Sequence, residues 1–192
     1  MRKVRKKTIL VKPGDTSKQL SPQQQEELSS QQWGEYLKMN DSIMGDLLLG
    51  QFKSTVKCLT CQTESVTFQS GYNLALEVPD NVEECSLYDC IDFYMQEDKL
   101  EWFCPNCKKM TNSCKWSELF KLPPILIVML KRFKYDEELE GFRKVETLVN
   151  LDMTGVELAD YIKSSYFNES NSTYHPYAFV VSGKKIENLR IF

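Results

Sequence analysis

Two cysteine pairs of identical spacing, Cys58-Leu59-Thr60-Cys61 and Cys104-Pro105-Asn106-Cys107, are the residues of this sequence best suited to chemistry. Each Cys-x-x-Cys presents two thiolates from one tight turn. Two such turns meeting in space supply four soft ligands, the set that a tetrahedral structural zinc prefers. A catalytic zinc keeps one position open for water, usually beside a histidine, and the single histidine of the chain, His175, is remote in sequence from both pairs. The expected cofactor is therefore one structural Zn2+ held by Cys58, Cys61, Cys104 and Cys107. The competing reading is four buried or disulfide-bonded cysteines. Cys85, Cys90 and Cys114 bring the total to seven, an odd number that fits a reducing, intracellular setting better than a disulfide framework.

Other chemistry has weaker support. A nucleophilic thiol needs a base within hydrogen-bond reach, normally an imidazole. His175, beside Pro176, reads as a histidine near the start of the last strand, and Cys90 as a core residue of a helix. Asp89, Asp92, Glu97 and Asp98 decorate that helix in a solvated pattern, and Asp136-Glu137-Glu138-Leu139-Glu140-Gly141 reads as a solvated hairpin turn rather than paired catalytic carboxylates. No catalytic residue is expected.

The elements that must position the cysteines follow from pattern. Positions 62–103, 42 residues, separate the two pairs, too many for a bare zinc ribbon and enough for two or three strands and a short helix. A metal would clip the ends of a sheet whose own core is thin. A helix is expected over residues 21–39, with Ser21 as cap, Pro22 at its first position, Gln24 in capping-box position and Leu28, Trp33, Tyr36 and Leu37 as its apolar stripe. A second, short helix takes Asp41 as cap and Ile43, Met44, Leu47 and Leu48 as its buried face. Strands are expected at 51–57, 65–68, 73–78, 100–103 and 113–120, with a helix over 86–96 between them. The apolar run that opens residues 125–135 reads as the most buried strand, turning back into a second strand over 142–149. A last helix over 154–162 and a last strand over 177–182 complete the reading.

The chain has 42% hydrophobic residues and a net charge of −3, as a soluble globular protein would, and no apolar run long enough to cross a membrane as a helix; the expected helices and strands together make the fold class α+β. The acidic balance makes nucleic acid an unlikely partner. The basic run Arg2, Lys3, Arg5, Lys6, Lys7 and Lys12 reads as a solvated terminus, with a nuclear signal or a phosphate contact as the alternative.

The order of these pieces resembles the middle of the catalytic domain of ubiquitin-specific proteases. The residues that carry the resemblance are Val4-Arg5-Lys6-Lys7, Tyr36-Leu37-Lys38-Met39-Asn40-Asp41-Ser42-Ile43, Gly50-Gln51-Phe52-Lys53-Ser54-Thr55-Val56-Lys57-Cys58, Trp102-Phe103-Cys104-Pro105-Asn106-Cys107 and Leu122-Pro123-Pro124-Ile125-Leu126-Ile127-Val128-Met129-Leu130-Lys131-Arg132-Phe133. It runs to about Ala178. It implies part of a papain-like, right-hand cysteine protease fold, in which a thumb carries the nucleophilic Cys, zinc-bearing fingers grip ubiquitin and a palm carries the catalytic His. By that resemblance residues 1–50 are a basic segment and a helical remnant of thumb or palm. Residues 51–119 are fingers with Cys58, Cys61, Cys104 and Cys107 as zinc ligands, 120–182 are part of the palm sheet, and 183–192 are a divergent tail. The family's Gly-Asn-Thr-Cys and Gly-Gly-His-Tyr boxes have no counterpart in the sequence. Phe179-Val180-Val181-Ser182-Gly183-Lys184-Lys185 stands where the sequence leading to the second would begin. The resemblance thus implies a cysteine-type deubiquitinase family member whose chain is incomplete, inactive alone, and at most a binder of ubiquitin or ubiquitinated proteins. A non-catalytic zinc-dependent ubiquitin-binding module and a zinc-ribbon nucleic-acid binder are the alternatives.

Overall fold

In the computed structural model, residues 20–164 and 172–180 are described. Helix α1 (Pro22–Asn40) starts at the expected capping box. Ser21 Oγ accepts from Gln24 N (3.3 Å), and Gln24 Oε1 accepts from Ser21 N (2.9 Å). These contacts satisfy donors that the first helical turn leaves free. Helix α2 (Ile43–Leu48) is capped by Ser42 rather than Asp41, through Gly45 N donating to Ser42 Oγ at 3.1 Å.

The chain then runs through β1 (Gly50–Cys58), β2 (Glu64–Gly71), β3 (Leu74–Glu77), β4 (Glu84–Ser86), helix α3 (Leu87–Met95), β5 (Asp98–Cys104) and β6 (Lys109–Lys121). Strands β2, β1, β6 and β5 form, in that order, one antiparallel sheet. Opposite charges stand across its ladders. Lys53 faces Glu118 (2.7 Å) and Lys57 faces Glu64 (3.1 Å), which favours this register over a slipped one. Beyond the sheet come β7 (Val128–Lys131), β8 (Phe133–Asp136), β9 (Gly141–Lys144), β10 (Leu148–Asn150), β11 (Val156–Glu157) and β12 (Thr173–Tyr174). Here β3 pairs with β7 and β4 with β10 in parallel, while β8 with β9 and β11 with β12 are antiparallel.

The main core lies where α3 meets β3 and the end of β6. Leu74, Leu76 and Val78 pack with Cys90 and Ile91, Leu119, Val145 and Leu158. A smaller cluster of Val66, Phe68 and Phe120, with the two rings edge-on at 4.6 Å, seats Leu20 and Leu28.

Several expectations are corrected. The predicted stripe of α1 is only half-buried, and the residues the helix buries are Glu26 and Ser29. Its seat is largely polar. Ser29 Oγ donates to Gln51 Oε1 (2.5 Å), Gln51 Nε2 donates to the Ser29 carbonyl (3.1 Å), and Phe68 N donates to Gln32 Oε1 (3.2 Å). Buried amides of the sheet need partners, and the helix supplies them. On α2, Ile43, Met44 and Leu47 are exposed rather than buried.

The run 125–135 is two strands, broken at Arg132. Its guanidinium donates to the carbonyls of Val145 (3.3 Å) and Thr147 (2.7 Å). The run is also not the most buried segment, since Ile127, Met129, Phe133 and Tyr135 are exposed. Residues 142–149 likewise divide between β9 and β10. The predicted helix over 154–162 is instead β11 followed by a 3₁₀ turn, Ala159–Tyr161. The last described strand is β12, residues 177–180 have no strand, and 181–182 lie outside the described residues. The basic run near the N-terminus also lies outside them.

Candidate metal centre

Strand β1 delivers Cys58 at its last residue, and β5 delivers Cys104 in the same way. Each strand then enters the same turn. Gln62 N donates to the Cys58 carbonyl (2.9 Å), and Lys108 N donates to the Cys104 carbonyl (2.8 Å). The residue four places after each first cysteine takes the left-handed conformation, Gln62 at φ 62° and Lys108 at φ 55°. This folds the second cysteine of each pair back beside the first. Because β6 lies between β1 and β5, the β1–β2 turn and the β5–β6 turn emerge at the same end of the sheet. A bond from Leu59 N to the Asn112 carbonyl (3.0 Å) ties the first turn to β6.

The sequence-predicted ligands therefore meet. The sulfurs of Cys58, Cys61, Cys104 and Cys107 lie within 4.8 Å of one another, so the four can hold a metal ion. The Sγ atoms of Cys61 and Cys104 are 3.5 Å apart, and those of Cys58 and Cys107 4.0 Å. A tetrahedron with zinc–sulfur bonds of about 2.3 Å has edges of about 3.8 Å. The cluster fits that size without rearrangement of the turns, and its donor set is all thiol.

Three residues that spacing did not single out surround the sulfurs. The Thr111 hydroxyl, 3.3 Å from Cys58 Sγ, holds that thiol below its ordinary value against the opposing effect of burial. Cys61 is brought down to about 5, first by the Asn106 side chain and then by Thr63, whose hydroxyl lies 3.2 Å from the sulfur. Cys107 is pushed up to about 12, first by its hydrogen bond with Cys61. Sulfurs this close share protons, and a dication that binds them displaces those protons. Thr63 and Thr111 look in sequence like ordinary strand threonines. Only Asn106, inside the Cys-x-x-Cys turn, was within sight of the motif.

The other candidates are dispersed. Cys85 and Cys90 are buried together, 3.8 Å apart, and burial pushes Cys90 up to about 12. Cys114 is buried on β6. His175 follows β12, is exposed, and lies over Gly155, where a Cβ would come 3.2 Å from its ring. Among the described residues no hydrogen bond joins it to a cysteine.

The chain is similar to known proteins in sequence and in fold. A ubiquitin carboxyl-terminal hydrolase 4 from Candida glabrata is 39% identical over 109 residues, 55% of this chain and 12% of the relative. Ubiquitin carboxyl-terminal hydrolase 2 from Gallus gallus is 31% identical over 175 residues, 88% of this chain and 48% of the relative. The chain thus spans half or less of the length of these relatives. The solved structure of the SAGA Ubp8/Sgf11/Sus1/Sgf73 DUB module bound to ubiquitin aldehyde shares its fold, with a TM-score of 0.54 at 21% identity, over 75% of this chain and 32% of that one. The family profile described as ubiquitin carboxyl-terminal hydrolase matches residues 15–187. The chain belongs to the ubiquitin carboxyl-terminal hydrolase family.

Proposed function

We propose that this chain is the ubiquitin-gripping part of a cysteine-type deubiquitinase, and that its 192 residues expressed alone bind ubiquitin without cleaving it. In this reading residues 51–119 are the fingers and 120–182 part of the palm, and Cys58, Cys61, Cys104 and Cys107 hold one Zn2+. The observation that carries the reading is the four-thiol cluster at the tip of an antiparallel sheet, in a chain matched by the family over most of its length. That a structural neighbour was solved with ubiquitin aldehyde supports the choice of partner.

Zinc, when bound, supplies a cross-link between two hairpin turns, and with four sulfur ligands it leaves no position for water. The residues themselves do the positioning. Thr111, Asn106 and Thr63 orient and charge the sulfurs, and the sheet holds the tip rigid. Phe103 and Met110 face each other across β5 and β6 and are both exposed, giving apolar surface next to the clip.

Hydrolysis of an isopeptide bond by a thiol requires a base within hydrogen-bond reach. Cys85 and Cys90 are buried thiols, and His175 has no cysteine partner among the described residues. Titration of ubiquitin into the metal-loaded chain should give saturable binding, weakened about tenfold or more by Phe103→Ser if that side chain is a central contact. A ubiquitin probe with a thiol-reactive C-terminus should label nothing. Labelling of any cysteine, or an absence of binding by the metal-loaded chain, would overturn the proposal.

A further inference from the structure

Cys85 and Cys90 take no part in the metal cluster or in the function proposed above. Cys85 is the middle residue of β4, and Cys90 is the fourth residue of α3. The turn between them is fixed by a capping box. Asp89 N donates to Ser86 Oγ (3.1 Å), and Ser86 N donates to Asp89 Oδ2 (2.7 Å). This box brings the two sulfurs to 3.8 Å, van der Waals contact, inside the main core. A disulfide needs about 2.05 Å, a closure that side-chain rotation and a small backbone shift can supply.

We infer that Cys85 and Cys90 form a reversible intramolecular disulfide when the folded protein meets a hydroperoxide, making the pair a redox modification site separate from the metal cluster. The two cysteines are not equivalent. Cys85 retains 8% exposure on a strand held by a ladder of only three residues, whereas Cys90 is fully buried. Short, edge-lying ladders open most readily, so the oxidant reaches Cys85. Its sulfur gives two electrons to the peroxide, the O–O bond breaks, and Cys85–SH plus ROOH become Cys85–SOH plus ROH. The Cys90 sulfur then attacks the sulfenic sulfur. The S–S bond forms as the S–O bond breaks, and the departing hydroxyl leaves as water with the Cys90 proton. Burial keeps Cys90 a thiol until that step, which protects it from direct oxidation.

The metal-loaded protein is treated with hydrogen peroxide at a dose that releases no metal to a chromophoric indicator. It is then unfolded, alkylated and cut after glutamate. Cleavage after Glu84 and Glu97 gives residues 85–97, in which Cys85 and Cys90 are the only cysteines. The expected product resists alkylation and is lighter by about 2 Da, the loss of two hydrogens, and dithiothreitol reverses the change. In Cys85→Ser, which replaces the less buried partner and is checked for folding by circular dichroism, Cys90 is recovered fully alkylated. Recovery of both cysteines alkylated in the treated parent would overturn the inference. So would Cys85 advancing to sulfinic acid beside an alkylated Cys90, or oxidation of Cys90 in Cys85→Ser at the parent's rate.

Discussion

Thr111 Oγ1 accepts from Cys58 Sγ and donates to the Trp102 carbonyl, both at 3.3 Å. Groups that hydrogen-bond a metal's ligands fix their orientation and charge, and losing one typically costs about 10- to 100-fold in metal affinity. Thr111→Val keeps the shape and removes the hydroxyl. Its zinc affinity, measured by competition with a chromophoric chelator, should fall by about that factor, and an unchanged affinity would leave Thr111 a packing residue. Glu157 makes a prediction of a different kind. Ser172 first, then the Thr173 hydroxyl (2.5 Å) and Ala159 N (3.0 Å), hold its carboxylate down to about 2 from an ordinary 4.5. A carboxyl depressed in the folded state contributes stability that is present above the unfolded value and lost as pH falls through the folded one. The parent should therefore exceed Glu157→Gln in denaturant midpoint at neutral pH. That gap should narrow as pH is lowered from 4.5 toward 2, whereas a gap independent of pH would mean the carboxylate is not what matters.

At the scale of elements, α3 and α2 make opposite predictions from similar apolar content. Ile91 is almost fully buried in the main core, so Ile91→Ala should cost about 2–5 kcal/mol in chemical denaturation. Ile43 is 76% exposed on α2, and Ile43→Ser should stay within about 0.5 kcal/mol of the parent. A large loss there would show that the face is covered. The contrast also shows what the sequence could reveal. The capping box at Ser21 was legible because it depends on residues three apart along the chain. Periodicity cannot tell whether an apolar face meets the sheet, and so it misplaced the seats of α1 and α2. Nor can it find a break such as Arg132, whose side chain turns to carbonyls 13 and 15 residues away. The short β11 and the 3₁₀ turn at Ala159–Tyr161 carry too few residues to express a period at all. The four-cysteine cluster was legible because its chemistry is written in residue type and spacing. The left-handed Gln62 and Lys108 were not, since neither position carries a glycine to announce it.

For the whole molecule, the two hairpin turns are held at one end of the sheet, and the main core lies away from them around α3. A cross-link joining positions 61 and 104 closes a loop that an unlinked chain closes only at an entropic cost. Structural zinc in zinc-finger peptides contributes apparent binding free energies of about 10–16 kcal/mol near neutral pH, and that energy is coupled to folding. Chelation should therefore loosen the tip first. In hydrogen exchange after metal removal, amides of residues 56–66 and 102–112 should lose protection before those of α3, which pack in the core; simultaneous loss would mean the clip supports the whole fold. The most direct test is the metal itself. Protein purified without added metal should carry one zinc per chain by native mass spectrometry, with four sulfur neighbours at about 2.3 Å by zinc-edge X-ray absorption. A folded chain with well under one zinc, or a zinc with nitrogen or oxygen neighbours, would contradict the account.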